Sequence, residues 1–248
     1  MHSVLILLRK DFTYFRRDRG SVILTFLIPF ALTYVFGQIF GVHRGQGGYS
    51  ATQLIGGWAM QFLLFALVFS ASSLFHEKDQ GLFQRLLSGP VPRSTILWSK
   101  FLYGVCLGLL QLLVLFCAGS LLFGLSLAPH LPLLALVCVA AAGACSAFGM
   151  LLASVARTPE MARSLATFSI LLMSAVGGAW FPTAFMPPFL QQCSRLTPVY
   201  WAVTGFGAAL GNHASLAGLL PNLGILAGMT AGLLGLAWWR FQRGTIFD

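Results

Sequence analysis

Residues able to carry acid–base, nucleophilic or metal chemistry are scarce in this chain, and none falls into a working pattern. His76 and Glu77 open HEKDQ, the start of a zinc-protease motif, but HExxH needs a second histidine where Gln80 stands. Ser146, in GACSAF, lacks the GxSxG elbow that would expose a nucleophile. The five cysteines show no CxxC or Cys/His spacing; Cys106, Cys117, Cys138 and Cys145 lie in long apolar runs, and only Cys193 sits in a polar connection. His2, His43, His76, His130 and His213 lie outside the apolar stretches or at their ends, which argues against a haem held by paired histidines. No acid or base sits well inside an apolar stretch, whereas ion-driven carriers place ionisable groups near the midplane. Sodium coordination by backbone carbonyls stays open. None of Lys10, Lys78 and Lys100 follows a glycine, so the phosphate loop GxxxxGK[ST] is absent. We expect no catalysis, metal or cofactor on this chain. This polypeptide cannot hydrolyse ATP alone in the usual way, so if it takes part in active transport the energy arrives from another chain.

What must be positioned is therefore a surface rather than a catalytic group. The chain has 248 residues, 57% hydrophobic and 8% charged, against about a quarter charged in soluble domains. Its mean hydropathy is +0.82. These values exclude a soluble protein. Six apolar stretches approach the roughly twenty residues that cross a bilayer core: Ser21–Gly41, Thr52–Phe75, Phe101–Leu125, Leu131–Ala156, Ser164–Pro182 and Gly218–Trp239. They do not alternate as barrel strands do. The expected fold is an all-α membrane protein of six transmembrane helices.

Charge sets the expected orientation. Thirteen of the fifteen Lys and Arg residues fall before the first stretch, in the second and fourth connections, or after the last. Arg44 and Arg195 alone fall on the other side. This bias places both termini in the cytoplasm. It also accounts for the net charge of +9 without nucleic acid as a partner.

Three segments stand apart from the spans. In residues 1–20, Val4, Leu5, Leu7, Leu8, Phe12 and Phe15 recur at helical spacing, with Arg9, Lys10, Arg16 and Arg17 largely off that stripe. This is an amphipathic helix, lying on the membrane surface or packed on its own protein. In HEKDQGLFQRLLSGPVPRSTILWSK, Leu82, Phe83, Leu86 and Leu87 form an apolar stripe that Ser88, Gly89, Pro90 and Pro92 terminate. Such a stripe lies in the lipid interface or enters a groove on a partner. Between the last two stretches, Pro182, Pro187, Pro188 and Pro198 break an apolar connection into short pieces, read as re-entrant helices.

These parts resemble the ABC-2 type permeases, the membrane subunits of one class of ATP-binding-cassette exporters. LLRKDFTYFRRDRGSVILTFLIPFALTYVFG is similar to the family's basic amphipathic helix and first span, with Pro29. EKDQGLFQRLLSGPVPRSTILWSKFL and GGAWFPTAFMPPFLQQCSRLTPVYWA resemble its coupling and re-entrant regions. The resemblance implies one transmembrane domain over 1–248, with an interfacial helix at 1–20, a cytoplasmic coupling element at 76–96 and an outer re-entrant region at 183–200. It implies two permease copies, identical or not, with two ATPase subunits that would hold the ATP and magnesium, in a bacterial inner membrane. The cargo would be amphipathic, drug-like, lipid-like or glycan. An ATP-independent channel or carrier, or a non-transport partner of an ATPase, is the alternative.

Candidate contacts to the ATPase are then Glu77, Asp79, Arg85 and Arg93, with Leu82, Phe83 and Leu86 entering its groove. Spans two and five would line the path through Gln61, Thr167, Ser174 and Gly178, among aromatics Phe62, Phe65, Phe69 and Phe168. Phe181, Pro182, Pro187 and Pro198 would form an outer gate. Small residues on these faces equally serve helix packing. Packing is the favoured reading for Gly104 and Gly108, and for Gly224, Gly228 and Gly232.

Overall fold

The computed structural model describes residues 2–40, 51–79, 92–156, 158–211 and 214–243. Every regular element among them is helical. Helix α1 (His2–Arg17) ends at Asp18, whose carboxylate caps the next helix by accepting from the Gly20 and Ser21 N–H groups. That helix, α2 (Arg19–Ile39), contains a π turn at Ile23–Leu27. The wider turn lies just before Pro29, which has no N–H to return to Thr25, so the irregularity has a local cause.

The long helices follow. They are α3 (Ala51–Asp79), α4 (Arg93–Phe123), α5 (Leu131–Val155) and α9 (Leu216–Arg243). With α2 they make five helices long and apolar enough to cross a membrane. Glycine ends α4, where Gly124 takes φ +67°. Thr-Pro pairs start two others. The Thr158 hydroxyl accepts from the Met161 N–H and opens α6 (Pro159–Val176), and Thr197 does the same for Tyr200 at α8 (Pro198–Ala209). The short α7 (Pro188–Ser194) lies between them.

Several expected boundaries move. The third apolar stretch was expected to begin at Phe101, but α4 begins at Arg93, because nothing after Pro92 breaks a helix. Asp79 is still helical, so 76–79 and 93–96 of the 76–96 element belong to α3 and α4; residues 80–91 lie outside the described residues. The fifth stretch ends at Val176 rather than Pro182, because Gly177 and Gly178 close the helix, Gly178 at φ +86°. At 18 residues with Glu160 and Arg163 in its first turns, α6 is shorter and more polar than the five.

Helix α5 is the centre of the bundle, in contact with α3, α4, α8 and α9. Its middle is almost wholly small: Ala141, Ala142, Gly143, Ala144, Cys145, Ser146 and Ala147 are all buried. Small side chains bring helices close where apolar burial in lipid gives no driving force. Gly104 and Gly108 on α4 pack as expected: a Cβ at Gly104 would collide with the Ser146 hydroxyl, and one at Gly108 with Leu63. The glycine run on α9 does not. A Cβ at Gly224, Gly228 or Gly232 would meet nothing, so those positions open outward and are not helix-packing sites within this chain.

Candidate functional site

One end of the bundle gathers the charge. There the start of α4, the ends of α5 and α9 and the start of α6 meet in an apolar cluster built on Ile96, Leu97, Met150, Ala162, Ala237 and Phe241. Helix α1 closes this basic end. Its Asp11 carboxylate lies with both oxygens 3.0 Å from the Lys100 ammonium on α4. The side chains are 6% and 4% exposed, and Lys10 Nζ approaches the rim at 3.2 Å. Beside the pair, Phe12 meets Tyr103 edge to face with centroids 5.0 Å apart. Leu8 and Phe15 join the same packing, while Leu5, Ile6 and Tyr14 stay exposed. The Leu8, Phe12 and Phe15 part of the α1 stripe is thus seated on its own protein, pinned by a buried charge pair. A lysine near the end of a span can usually snorkel to water, but Lys100 is enclosed with its acid.

At the far end the contacts between α3 and the turn after α6 are neutral. Gln53, Gly57 and Gln61 recur every four residues on one face of α3 and meet the chain that leaves α6. Gln53 Nε2 donates to the Gly178 carbonyl at 2.8 Å, and the Trp180 indole N–H donates to Gln61 Oε1 at 2.5 Å. Between them Gly57 has no room for a side chain, since a Cβ would strike the Ala179 carbonyl. The buried face of α6 is Ala162, Ala166, Ile170 and Ser174, again at four-residue spacing. The Ser174 hydroxyl has no hydrogen-bond partner in this packing. Helix α8 supports the seam: its Phe206 fits over Gly56 and packs edge to face on Phe116 at 5.0 Å. Asn222 on α9 ties α8 in place by donating to the Trp201 carbonyl at 2.9 Å and the Thr204 hydroxyl at 2.8 Å.

Between these ends α3 is buried on nearly every side from Leu54 to Val68. The exception is one stripe, and it is aromatic. Trp58, Phe62 and Phe65 are half-buried and run along it, with centroids 6.0 Å and then 6.5 Å apart. Phe36 on α2 extends the ladder by stacking on Trp58 at 4.6 Å. On α6, Thr167, Phe168 and Leu172 are exposed. A ladder of ring faces with amide and hydroxyl groups nearby suits an amphipathic molecule and offers no fixed charge to an ion.

Residues 2–210 match the family described as ABC-2 type transporter. The chain belongs to that family. Among curated relatives of this ABC-2 transporter chain, the linearmycin resistance permease protein LnrN of Bacillus subtilis (strain 168) is 25% identical over 178 residues. That alignment covers 71% of this chain but 45% of LnrN, so the chain spans less than half of that relative's length. The inner membrane transport permease YadH of Escherichia coli (strain K12) is 29% identical over 213 residues, 85% of this chain and 82% of YadH. YadH of Shigella flexneri matches to the same extent. The chain is thus a multi-pass membrane protein of the ABC-2 type transporter family, and these relatives are named as permeases.

Within this ABC-2 chain the sequence-derived candidates scatter over the structure. Leu82, Phe83, Arg85 and Leu86 lie outside the described residues; Glu77 and Asp79 stand in the last turn of α3, and Arg93 opens α4. Gln61, Ser174 and Gly178 are brought together in the α3–α6 seam, buried inside the protomer, while Thr167 is on its surface. Phe181 is 55% exposed next to the seam, Pro182 and Pro187 flank a 3-10 turn, and Pro198 is buried at the start of α8. Sequence reasoning missed the Asp11–Lys100 pair, Gln53 and Trp180. A signal for the first existed: Asp11 falls on the apolar face of α1, between Leu8 and Phe15.

Proposed function

We propose that the chain is the permease subunit of an ATP-driven exporter, moving an amphipathic or lipid-like cargo outward with energy from a separate ATPase. Two copies, identical or not, would work with two ATPase subunits in a bacterial inner membrane. Both termini and the basic end would face the cytoplasm, as the charge bias favours. Helix α6 would serve as the sixth span, its 18 residues extended by the seam. Helices α7 and α8 would dip in from the outer face. At twelve residues α8 is too short to cross, yet it is buried among α3, α5 and α9.

The observation that carries this reading is the aromatic stripe of α3. Its rings stay half-buried on a helix otherwise buried from Leu54 to Val68, and it abuts the seam where α6 turns. Two copies facing each other across it would enclose a path of ring faces. The 80–91 segment, with Leu82, Phe83 and Leu86 as its stripe, would dock on the ATPase. Its motion would enter the bundle through the adjoining ends of α3 and α4, with α4 braced by α1. The names of the relatives add support: linearmycin resistance and inner membrane transport are what those permeases are called.

Leu82→Asp and Phe83→Asp test the docking. In the full permease–ATPase complex each substitution is expected to abolish co-purification of the ATPase and ATP-dependent transport, while membrane insertion is unchanged. Wild-type co-purification and transport in both variants would defeat the docking assignment, and transport by the wild-type complex that persists without ATP would favour an ATP-independent carrier.

A further inference from the structure

Away from the seam, on the other side of α5, lies a cavity of about 790 Å³ between α4, α5 and α9. Helices α4 and α9 both pack on α5 and meet at the basic end, in the cluster of Ile96, Leu97, Met150, Ala237 and Phe241. Above that floor they diverge, and the wedge between them is the cavity. Its walls include Trp98 and Phe101 of α4, Val139 and Gly143 of α5, and Ala231 and Trp238 of α9. Trp98 stands edge-on to Phe101 at 5.7 Å and forms one side of the mouth.

Two arguments say what fills it. The apolar walls disfavour water, because a buried water needs two or more polar partners. The hydroxyl in the wall, on Thr230, is already committed to the Leu226 carbonyl at 2.8 Å. Location then selects the occupant. All three walls are helices apolar enough to span a bilayer, so the medium at the mouth is hydrocarbon. The mouth is flanked by Trp98, 56% exposed, and Trp238, 37% exposed. Such rings mark the level where acyl chains begin. The volume is on the scale of a small-ligand pocket, roughly 300–1,000 Å³.

We infer that this wedge is a binding site for an acyl chain of a membrane phospholipid, held as a resident part of the bundle. The inference rests only on the chain spanning the membrane, and stands apart from the transport reading. The chain replaces the missing contact between α4 and α9, and so fixes the splay of the two helices that meet below it.

The experiment uses the full protein with its ATPase in vesicles containing phosphatidylethanolamine that carries a diazirine in mid-chain. Photolysis is expected to label α4, α5 and α9 at the wedge walls above the rest of the lipid-facing surface. Gly235→Leu and Ala231→Phe project into the wedge and should each remove that excess label. Gly232→Leu, on another face of α9 with open space around it, should retain it. Insertion of each variant is checked by its resistance to carbonate extraction. If one filling variant fails to insert, the other decides. Uniform labelling around the protein, or excess label that persists in an inserted filling variant, would overturn the inference. So would label that leaves the wedge during ATP turnover, since that marks cargo, and crosslinks between protomers through positions 98 and 238, which mark a subunit interface.

Discussion

The two ends of the bundle are built on opposite chemistry. At the basic end α1 is fastened to α4 by Asp11 and Lys100, an ion pair almost wholly enclosed. At the far end α3 is fastened to the turn after α6 by two side-chain amides, a carbonyl and an indole. The difference follows from what each leaves behind when it opens. Parting a buried charge pair strands an uncompensated charge, whereas parting an amide–indole bond exposes neutral groups that other donors and acceptors satisfy. The clamp is therefore suited to stay shut, and the seam to yield. Under the proposed function, with an ATPase acting at the basic end, that division would supply a rigid input and a compliant far end.

Breaking the clamp should have the largest effect. Asp11→Ala is expected to cost about 3–5 kcal/mol, read as a lower melting temperature and release of α1 to protease. Asp11→Leu combined with Lys100→Met should recover most of the loss, because an apolar pair removes both charges together. A single Asp11→Ala variant as stable as wild type would erase the contrast. Next comes the seam's steric contact. Gly57→Ala drives a methyl into the Ala179 carbonyl and should cost about 1–3 kcal/mol. Its effect on transport should exceed its effect on folding, because it wedges the seam apart. Gln61→Leu strands the Trp180 N–H and should cost about 1–2 kcal/mol. Melting of the purified variant checks the figure, and a loss as large as that of Asp11→Ala would show the seam to be no softer than the clamp.

The smallest effect concerns Asp18, an exposed charge to set against the buried ones. The Ser21 hydroxyl first, and then the Ser21 N–H, hold its carboxyl below the ordinary range; burial opposes them, and the Gly20 N–H adds the smallest effect. The sign follows from that depression. Its contribution is present above the unfolded carboxylate value, near pH 4, and is lost as pH falls through the lower folded value. Asp18→Asn should therefore leave the start of α2 unchanged in acid and slightly weaker at neutral pH, as hydrogen exchange at Gly20 and Ser21 would show.

Much of this was legible in the sequence because apolar runs and proline punctuation are local signals. The long helices, the helical character of 1–17 and the broken connection after α6 all rest on them. Gln61 stood out because an amide within a span demands a partner. The partner did not, because Trp180 reaches it across 119 positions. Asp11 and Lys100 are 89 positions apart, and each has an innocent local reading, one as a surface-helix charge and the other as a span-end lysine. The α9 glycines mislead for the opposite reason. Their four-residue spacing is a packing signal, but the face they make is turned outward.

The most direct test places a single cysteine at position 62 on the aromatic stripe, in a variant lacking the five native cysteines. The variant is reconstituted with the ATPase partner and probed with a membrane-impermeant thiol reagent. The account predicts labelling from the cytoplasmic side without nucleotide and from the opposite side when the ATPase is trapped with ATP. Labelling from the same side in both states, or none in either, would contradict it.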